Sequence, residues 1–343
     1  MKDTSISTRK TEQLSINLEQ DISSGITTGL ENYRFLHNAS PEINLTEIKT
    51  SEVFLNKFIS FPLLISSMTG GSLETTRINQ NLAIASQTIG LPMGVGSQRA
   101  AIDDPGLAPS FQVRRLAPDI PLLANLGAIQ LNYGYTIDHC KKAVEMISAD
   151  ALILHLNPLQ EALQPNGDTN FKGLLTKIES VVKNLGVPVI IKEVGWGINS
   201  KLAKRFFDMG VSAVDIAGAG GTSWSQVEMH RQTDPLLREL SSDFRDWGIP
   251  TSDAIIEIGN SIPAALIIAS GGIKTGMDIA KCIALGASLV GMAGSILKSA
   301  ANGPEFAIQR IEMLKREFTI CMFASGIPYL SALKHTPALK RIR

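Results

Sequence analysis

Between residues 61 and 292 the chain repeats a single unit. A short apolar run stops at Gly, Ser, Asn or Lys, and an amphipathic stretch follows. The predicted strands are Phe61–Ser66, Met93–Gly96, Leu122–Asn125, Ala151–Leu156, Pro188–Lys192, Ala213–Ile216, Ala264–Ala269 and Leu289–Met292. Runs that are apolar on both faces suit parallel strands covered by helices. The helical pattern predicts helices over Leu73–Ile89, Pro109–Leu116, Thr136–Ile147, Gly173–Asn184, Lys201–Met209, 251–259 and Thr275–Leu285, with further helix from Pro304 on. Eight βα units favour an α/β chain closed into a single (β/α)8 TIM barrel. The alternative, an open doubly wound sheet, is weakened because no GxGxxG follows the first strand.

Residues 1–60 read as an N-terminal extension packed on the barrel, and 61–343 as the barrel itself. Segment 222–248, after strand six, is too long for an ordinary loop and reads as an active-site cover or an interface. The 343 residues balance 32 Lys and Arg against 32 Asp and Glu. A neutral chain gives no support to a nucleic-acid partner, although a local cluster suffices for a small anion. The first twenty residues have no apolar signal core, and no stretch of eighteen apolar residues occurs. The expectation is a cytoplasmic chain with no membrane partner. Cys140, Cys282 and Cys321 form no CxxC pair and read as buried thiols in a reducing compartment.

In such a barrel the strand ends and the loops after them meet on one face. The unusual residues of this chain fall there: Met68-Thr69-Gly70-Gly71, Ser97-Gln98-Arg99, Asn125, His155-Leu156-Asn157, Lys192, Gly220-Gly221-Thr222, Gly271-Gly272 and Ala293-Gly294. Strand periodicity puts His155 and Asn157 on one side. The glycines after strands seven and eight, next to helix N-termini, suit a phosphate. Lys192 suits negative charge, or else a salt bridge. Glu161 suits Mg²⁺, which accepts one carboxylate plus substrate phosphates. Arg9, Lys10 and Arg99 suit an anionic substrate, or else a solvated charged end. HExxH and GxSxG are absent, which disfavours metalloprotease-type and serine-triad hydrolysis. Pattern alone reaches a barrel that binds a phosphorylated ligand, without naming its reaction.

The stretches RKTEQ (9–13), SSMTGG (66–71), GVGSQR (94–99), ANLGA (124–128), HLNPLQE (155–161), IKEVGWG (191–197), AGAGGTSW (217–224) and GGIKTGMDIAKCIALGA (271–287) resemble the type 2 isopentenyl-diphosphate δ-isomerases. The resemblance runs from about Arg9 to about Gly294. HLNPLQE is its most specific part, since the glycine-rich stretches also resemble flavin barrels in general. It implies bound FMN, Mg²⁺, a reducing NADPH or NADH, a homo-oligomer (a tetramer or larger), and interconversion of isopentenyl and dimethylallyl diphosphate without net redox change.

Carried over by position, the resemblance implies Gln160 near the substrate alkene and Glu161 on the metal. It implies His155 and Asn157 near diphosphate and flavin, and Lys192 beside the flavin ring. Met68, Thr69, Ser97, Asn125 and Thr222 would contact the cofactor, Gly271, Gly272, Ala293 and Gly294 would cradle its phosphate, and Arg9, Lys10 and Arg99 would bind diphosphate. The catalytic set it implies is Gln160, His155 and Lys192. One departure is Gln13, where the family usually has histidine. A glutamine there donates one hydrogen bond to a phosphate oxygen but carries no charge, so weaker diphosphate binding is expected.

Two other readings compete. A flavin-barrel oxidoreductase of the nucleotide-dehydrogenase kind needs a cysteine in the loop after strand six, and Gly218 to Trp224 has none. A hydroxy-acid oxidase needs a histidine in a motif that His230 does not fit. A non-catalytic anion-binding barrel leaves Gln160, Glu161 and Lys192 on one face without a use.

Overall fold

The computed structural model describes residues 6–342 apart from Thr69 and Ser72, so Thr69 and the side chain of Arg9 lie outside the described residues. Eight parallel strands close into a barrel: β1 (Leu63–Ile65), β2 (Met93–Gly94), β3 (Leu122–Gly127), β4 (Ala151–Leu156), β5 (Val189–Glu193), β6 (Ala213–Asp215), β7 (Ile267–Ser270) and β8 (Leu289–Met292). β8 returns to β1 with Val290 opposite Leu63 and Met292 opposite Ile65. The register pairs His155 with Lys192 and Lys192 with Asp215, so three polar side chains end neighbouring strands at one level.

Alternation along the strands divides the apolar residues into two cores. Leu64, Leu123, Ile153, Ile190 and Ile268 fill the barrel. Strand-start residues Ala151, Ala213 and Leu289 join them there, together with Phe54 and Ile59. Those two come from an antiparallel hairpin, Glu52–Phe54 with Lys57–Ile59, which therefore plugs the N-terminal end of the barrel. The larger outer core lies between strands and helices and includes Leu63, Ile65, Leu152 and Leu154. Capping fixes where helices start. Thr136 and His139 form a reciprocal cap before Ile137–Ile147, and Thr275 and Asp278 form one before Gly276–Ala284. Satisfying otherwise orphaned N–H groups in this way is worth about 1 kcal/mol per helix.

The helices that matter for the site and surface are α1 (Ile6–Glu19), α2 (Leu73–Ile89), α3 (Pro158–Leu163), α4 (Trp224–Arg231), α5 (Pro235–Asp243), α6 (Gly294–Asn302) and α7 (Pro304–Ala324). The helix expected over Pro109–Leu116 does not form. A 3-10 turn occupies Pro105–Ser110 instead, begun by Asp104, whose carboxylate accepts from the Gly106 N–H at 3.0 Å. The chain beyond is held irregular because Arg114 donates to the carbonyls of Ala117, Ile120 and Ser148. α3, read from sequence as loop, is a short helix with Pro158 in its first turn.

Segment 222–248 folds into α4 and α5. α4 buries Ser225, Gln226, Val227 and Glu228, whereas α5 leaves Leu236, Leu237 and Leu240 exposed. The N-terminal residues run across this segment. Ser24 N–H donates to Gly221 O at 2.8 Å, and Ser223 N–H donates to Ile22 O at 2.8 Å. Strand Tyr33–Phe35 pairs with Leu339–Arg341, tying the two ends of the chain together. Among the described residues no helix is long and apolar enough to cross a membrane.

Candidate active site

The barrel mouth concentrates charge that burial would ordinarily exclude. Lys192 is 8% exposed and Asp215 is 1% exposed. Their ammonium and carboxylate lie 3.1 Å apart at the ends of β5 and β6. The Ser270 hydroxyl donates to the other Asp215 oxygen at 2.5 Å. A buried charge is tolerated only when it is paired and hydrogen-bonded, and this triad meets that condition. Sequence reasoning missed Asp215. The available signal was an acid ending the apolar run Ala213-Val214-Asp215-Ile216.

Beside it, His155 Nδ1 lies 2.8 Å from Asn125 Oδ1. Burial, then the ammoniums of Lys192 and Lys10, hold this imidazole down at about 4. It is neutral near pH 7, and a hydrogen bond to the Leu126 carbonyl pulls weakly the other way. The next residue after Lys192, Glu193, organises its own loop. One carboxylate oxygen accepts from the N–H groups of Val194, Gly195 and Trp196 at 2.6–2.7 Å. Burial pushes Glu193 up to about 7, against the pull of those three donors.

A second cluster hangs from α3. Pro158 starts this helix directly after β4, so Gln160 and Glu161 face the mouth, 8% and 7% exposed. Asn157 Nδ2 donates to Gln160 Oε1 at 3.1 Å and to Glu161 Oε1 at 2.9 Å. Glu161 Oε2 accepts from the Asp168 N–H at 2.7 Å and from the Gln164 amide. Gln160 Nε2 donates to Glu228 Oε1 at 3.1 Å. Glu228 is fully buried, and Arg231 donates to its second oxygen at 2.6 Å. Glu228 was not anticipated, since a glutamate in Trp224–Arg231 reads as solvated until α4 is packed onto α3. Segment 222–248 thus adds a buried carboxylate to the mouth.

The remaining expected residues divide. Lys10 reaches the mouth, donating to Ser97 O at 2.8 Å with its ammonium 5.1 Å from the Phe111 ring centre. Met68 and Ser97 are partly buried there. Thr222 bridges to Ser23 of the N-terminal segment. Arg99 is engaged by acids, at 3.0 Å from Asp168 and 3.7 Å from Asp103. Gln13 does not stand free for a phosphate; its amide lies 3.4 Å from Glu228 Oε1, the atom Gln160 also contacts.

Gly271 and Gly272 have φ of +103° and +73°. A Cβ on Gly271 would fall 1.9 Å from Gly218 O, and one on Gly272 would fall 2.4 Å from Gly220 O. The loops after β6 and β7 therefore stack backbone on backbone, which alone demands glycine at both positions.

Three observations suit a phosphate-bearing ring cofactor. α6 starts at Gly294 without a side-chain cap, and a Cβ on Gly294 would meet open space. Uncapped N–H groups at a nine-residue helix start form an anion site. The buried hydroxyls of Ser66, Ser67 and Ser295 and the Asn157 Oδ1 have no hydrogen-bond partner among the described residues, so polar groups around the mouth are left to bind something else. For a metal, no group of three or more His, Cys, Asp or Glu gathers among the described residues. Glu161 with the orphaned Asn157 oxygen nevertheless offers hard oxygens of the kind Mg²⁺ accepts alongside phosphate.

Fold and mouth together define a (β/α)8 barrel whose C-terminal mouth suits a phosphate-bearing cofactor. A family profile described as FMN-dependent dehydrogenase matches residues 153–340, more than half the chain. The chain is 48% identical over 326 residues to an isopentenyl-diphosphate delta-isomerase of Rickettsia bellii (strain RML369-C), covering 95% of each. It is 48% identical over 337 residues to one of Nostoc sp. (strain PCC 7120), covering 98% of this chain and 96% of that one. Among solved structures, a mandelate oxidase variant with benzaldehyde superposes with TM-score 0.68 at 18% identity, over 96% of this chain and 93% of that one. A Pediococcus acidilactici (putative) lactate oxidase gives 0.65 at 17%, over 96% and 87%. At that identity the two oxidases speak for the fold alone. The chain belongs to the FMN-dependent, type 2 isopentenyl-diphosphate delta-isomerase family.

Proposed function

We propose that the chain interconverts isopentenyl diphosphate and dimethylallyl diphosphate, moving one proton on and one proton off the substrate beside a bound, reduced FMN. The observation that carries this reading is the buried Gln160 amide, held between Asn157 and Glu228. It is a proton-handling network with no cysteine or serine nucleophile in it. A reduced isoalloxazine, when bound, supplies an electron-rich, water-excluding face and an exchangeable proton next to the alkene.

The chain's own residues do the rest. Lys192 presents positive charge to the cofactor ring, balanced from behind by Asp215. The α6 N-terminus, Ser295, Ala293 and Gly294 receive the cofactor phosphate, and Met68, Ser97, Asn125 and Thr222 line the ring and its chain. Gln160 orients the alkene end and relays a proton, its own orientation fixed by Glu228. His155 serves the diphosphate by donating from Nε2, which takes up a proton as the anion's charge arrives, and Lys10 adds charge there. Arg99 joins them by exchanging part of its pairing with Asp168 for phosphate. Arg9 is read as a further diphosphate contact. Glu161 and Asn157 would hold Mg²⁺, which would supply charge neutralisation for the diphosphate.

A nicotinamide nucleotide, NADPH or NADH, is read as the reductant, a homo-oligomer as the assembly and the cytoplasm as the compartment. The three cysteines, all unpaired, fit a reducing environment. α4 and α5 serve as the cover, with residues 12–25 laid against them. Titrating cofactor-free protein with FMN should give a yellow complex of one flavin per chain. Protein that stays colourless and cannot be reconstituted contradicts the reading.

A further inference from the structure

The Gln160 amide has two unlike ends, and two carboxylates tell them apart. Asn157 Nδ2 donates to Glu161 Oε1 at 2.9 Å and to Gln160 Oε1 at 3.1 Å, so the oxygen end of Gln160 faces Asn157. At the other end Gln160 Nε2 donates to Glu228 Oε1 at 3.1 Å. An ionised carboxylate accepts and cannot donate, so it holds the NH2 end in place. A neutral Glu228 could donate instead, and the amide could then turn over. The orientation of Gln160 therefore rests on a fully buried carboxylate that stays charged.

The cation beside that carboxylate is Arg231. Its Nη1 lies 2.6 Å from Glu228 Oε2, and its side chain is 11% exposed. The i,i+3 spacing puts the two on one face of α4. Gln13 reaches the other Glu228 oxygen at 3.4 Å but brings no charge. Among the described residues no second cation forms an ion pair with Glu228. Gln232, the residue after α4, donates from Nε2 to Leu163 O at 3.0 Å, which pins the end of α4 to the end of α3. Arg231 also approaches Glu12 of α1, Nε to Oε2 at 3.4 Å, but Glu12 is 45% exposed and such a contact carries little energy.

We propose that Arg231 is a positioning residue for the isomerisation: it holds Glu228 as a charged acceptor and so sets which way the Gln160 amide faces. The inference rests on the isomerase reading, in which Gln160 relays a proton at the alkene. A relay needs its donor and acceptor ends in a fixed sense, and an amide turned over presents oxygen where N–H is required. Arg231 acts through Glu228. What it supplies is charge, because a buried carboxylate deprived of its cation is left desolvated and uncompensated. A lysine can replace that charge. A glutamine can offer Glu228 a hydrogen bond but no charge.

The test is steady-state turnover of isopentenyl diphosphate by the FMN-loaded full chain, under anaerobic reducing conditions with Mg²⁺, with flavin content read on each variant. R231Q should lower kcat by about a hundredfold, the small end of what a placed proton-transfer group contributes, with KM within about threefold of wild type. R231K should recover kcat to within about tenfold of wild type. In a Q160A background R231Q should cost less than about threefold further, since residues acting through one contact are not additive. Flavin content should be unchanged throughout. R231Q with the kcat of wild type overturns the inference, as does R231K no faster than R231Q, a loss carried by KM alone, or an undiminished R231Q effect in Q160A. A wild type that converts no substrate contradicts the isomerase reading and this inference with it, whereas the other failures leave that reading standing.

Discussion

Replacing Glu161 by alanine is expected to slow isomerisation by about two to four orders of magnitude. Lost charge stabilisation by a metal amounts to several kcal/mol, at roughly 1.4 kcal/mol per decade of rate. The same variant should lose its response to added Mg²⁺, because Glu161 is hydrogen-bonded to Asn157, whose amide oxygen is left orphaned. Flavin binding should survive, since the proposed cofactor contacts come from other strands. A steady-state Mg²⁺ titration read beside the flavin spectrum separates these effects. A variant that keeps its Mg²⁺ dependence while losing rate assigns Glu161 to shaping the 161–168 loop instead, through the Asp168 N–H and the Gln164 amide.

The second large effect concerns the buried Lys192–Asp215 pair at the ends of β5 and β6. Lys192→Met leaves the Asp215 carboxylate, 1% exposed, without its cation. Removing one partner of a buried pair costs about 3–5 kcal/mol, since the stranded charge remains desolvated. The expected result in chemical denaturation is a loss of that size, with most of it recovered in K192M/D215N. Activity should behave differently. The double variant stays inactive, because no cation faces the cofactor whichever way the carboxylate is resolved. Recovery of both stability and rate in the double variant would reduce Lys192 to an ordinary salt-bridge residue. A K192M protein as stable as wild type would mean that the Asp215 carboxylate needs no counter-charge.

How far the sequence carries can be judged residue by residue. Leu73–Ile89 is bounded as its periodicity predicts, and Ala151–Leu156 is the fourth strand at both ends. In those segments local pattern and tertiary burial agree. Pro109–Leu116 failed because Asp104 and Pro105 start a tighter turn earlier, and Arg114 ties the chain to the carbonyls of Ala117 and Ser148, beyond the expected helix.

At the site, the residues that local pattern exposed were those at strand ends, where an inward polar side chain is conspicuous. Glu228 escaped because nothing in Trp224–Arg231 announces that α4 packs on α3; its burial is a property of two helices together. Gly271 and Gly272 were noticed for a partly different reason from the one the structure supplies. They let one loop stack on another, and the anion site is better marked by uncapped α6 and open Gly294. Gln13, expected to meet a phosphate, turns instead to Glu228, so its exchange for histidine acts on a carboxylate network before it acts on diphosphate.

The most direct measurement of the central claim is a single anaerobic incubation of protein, reduced FMN, Mg²⁺ and isopentenyl diphosphate in deuterated water. Product is read by NMR and flavin by absorbance in the same vessel. The account predicts dimethylallyl diphosphate carrying solvent deuterium, with the flavin still reduced at equilibrium. Flavin oxidised in step with substrate consumption, or substrate returned without deuterium and without product, would contradict it.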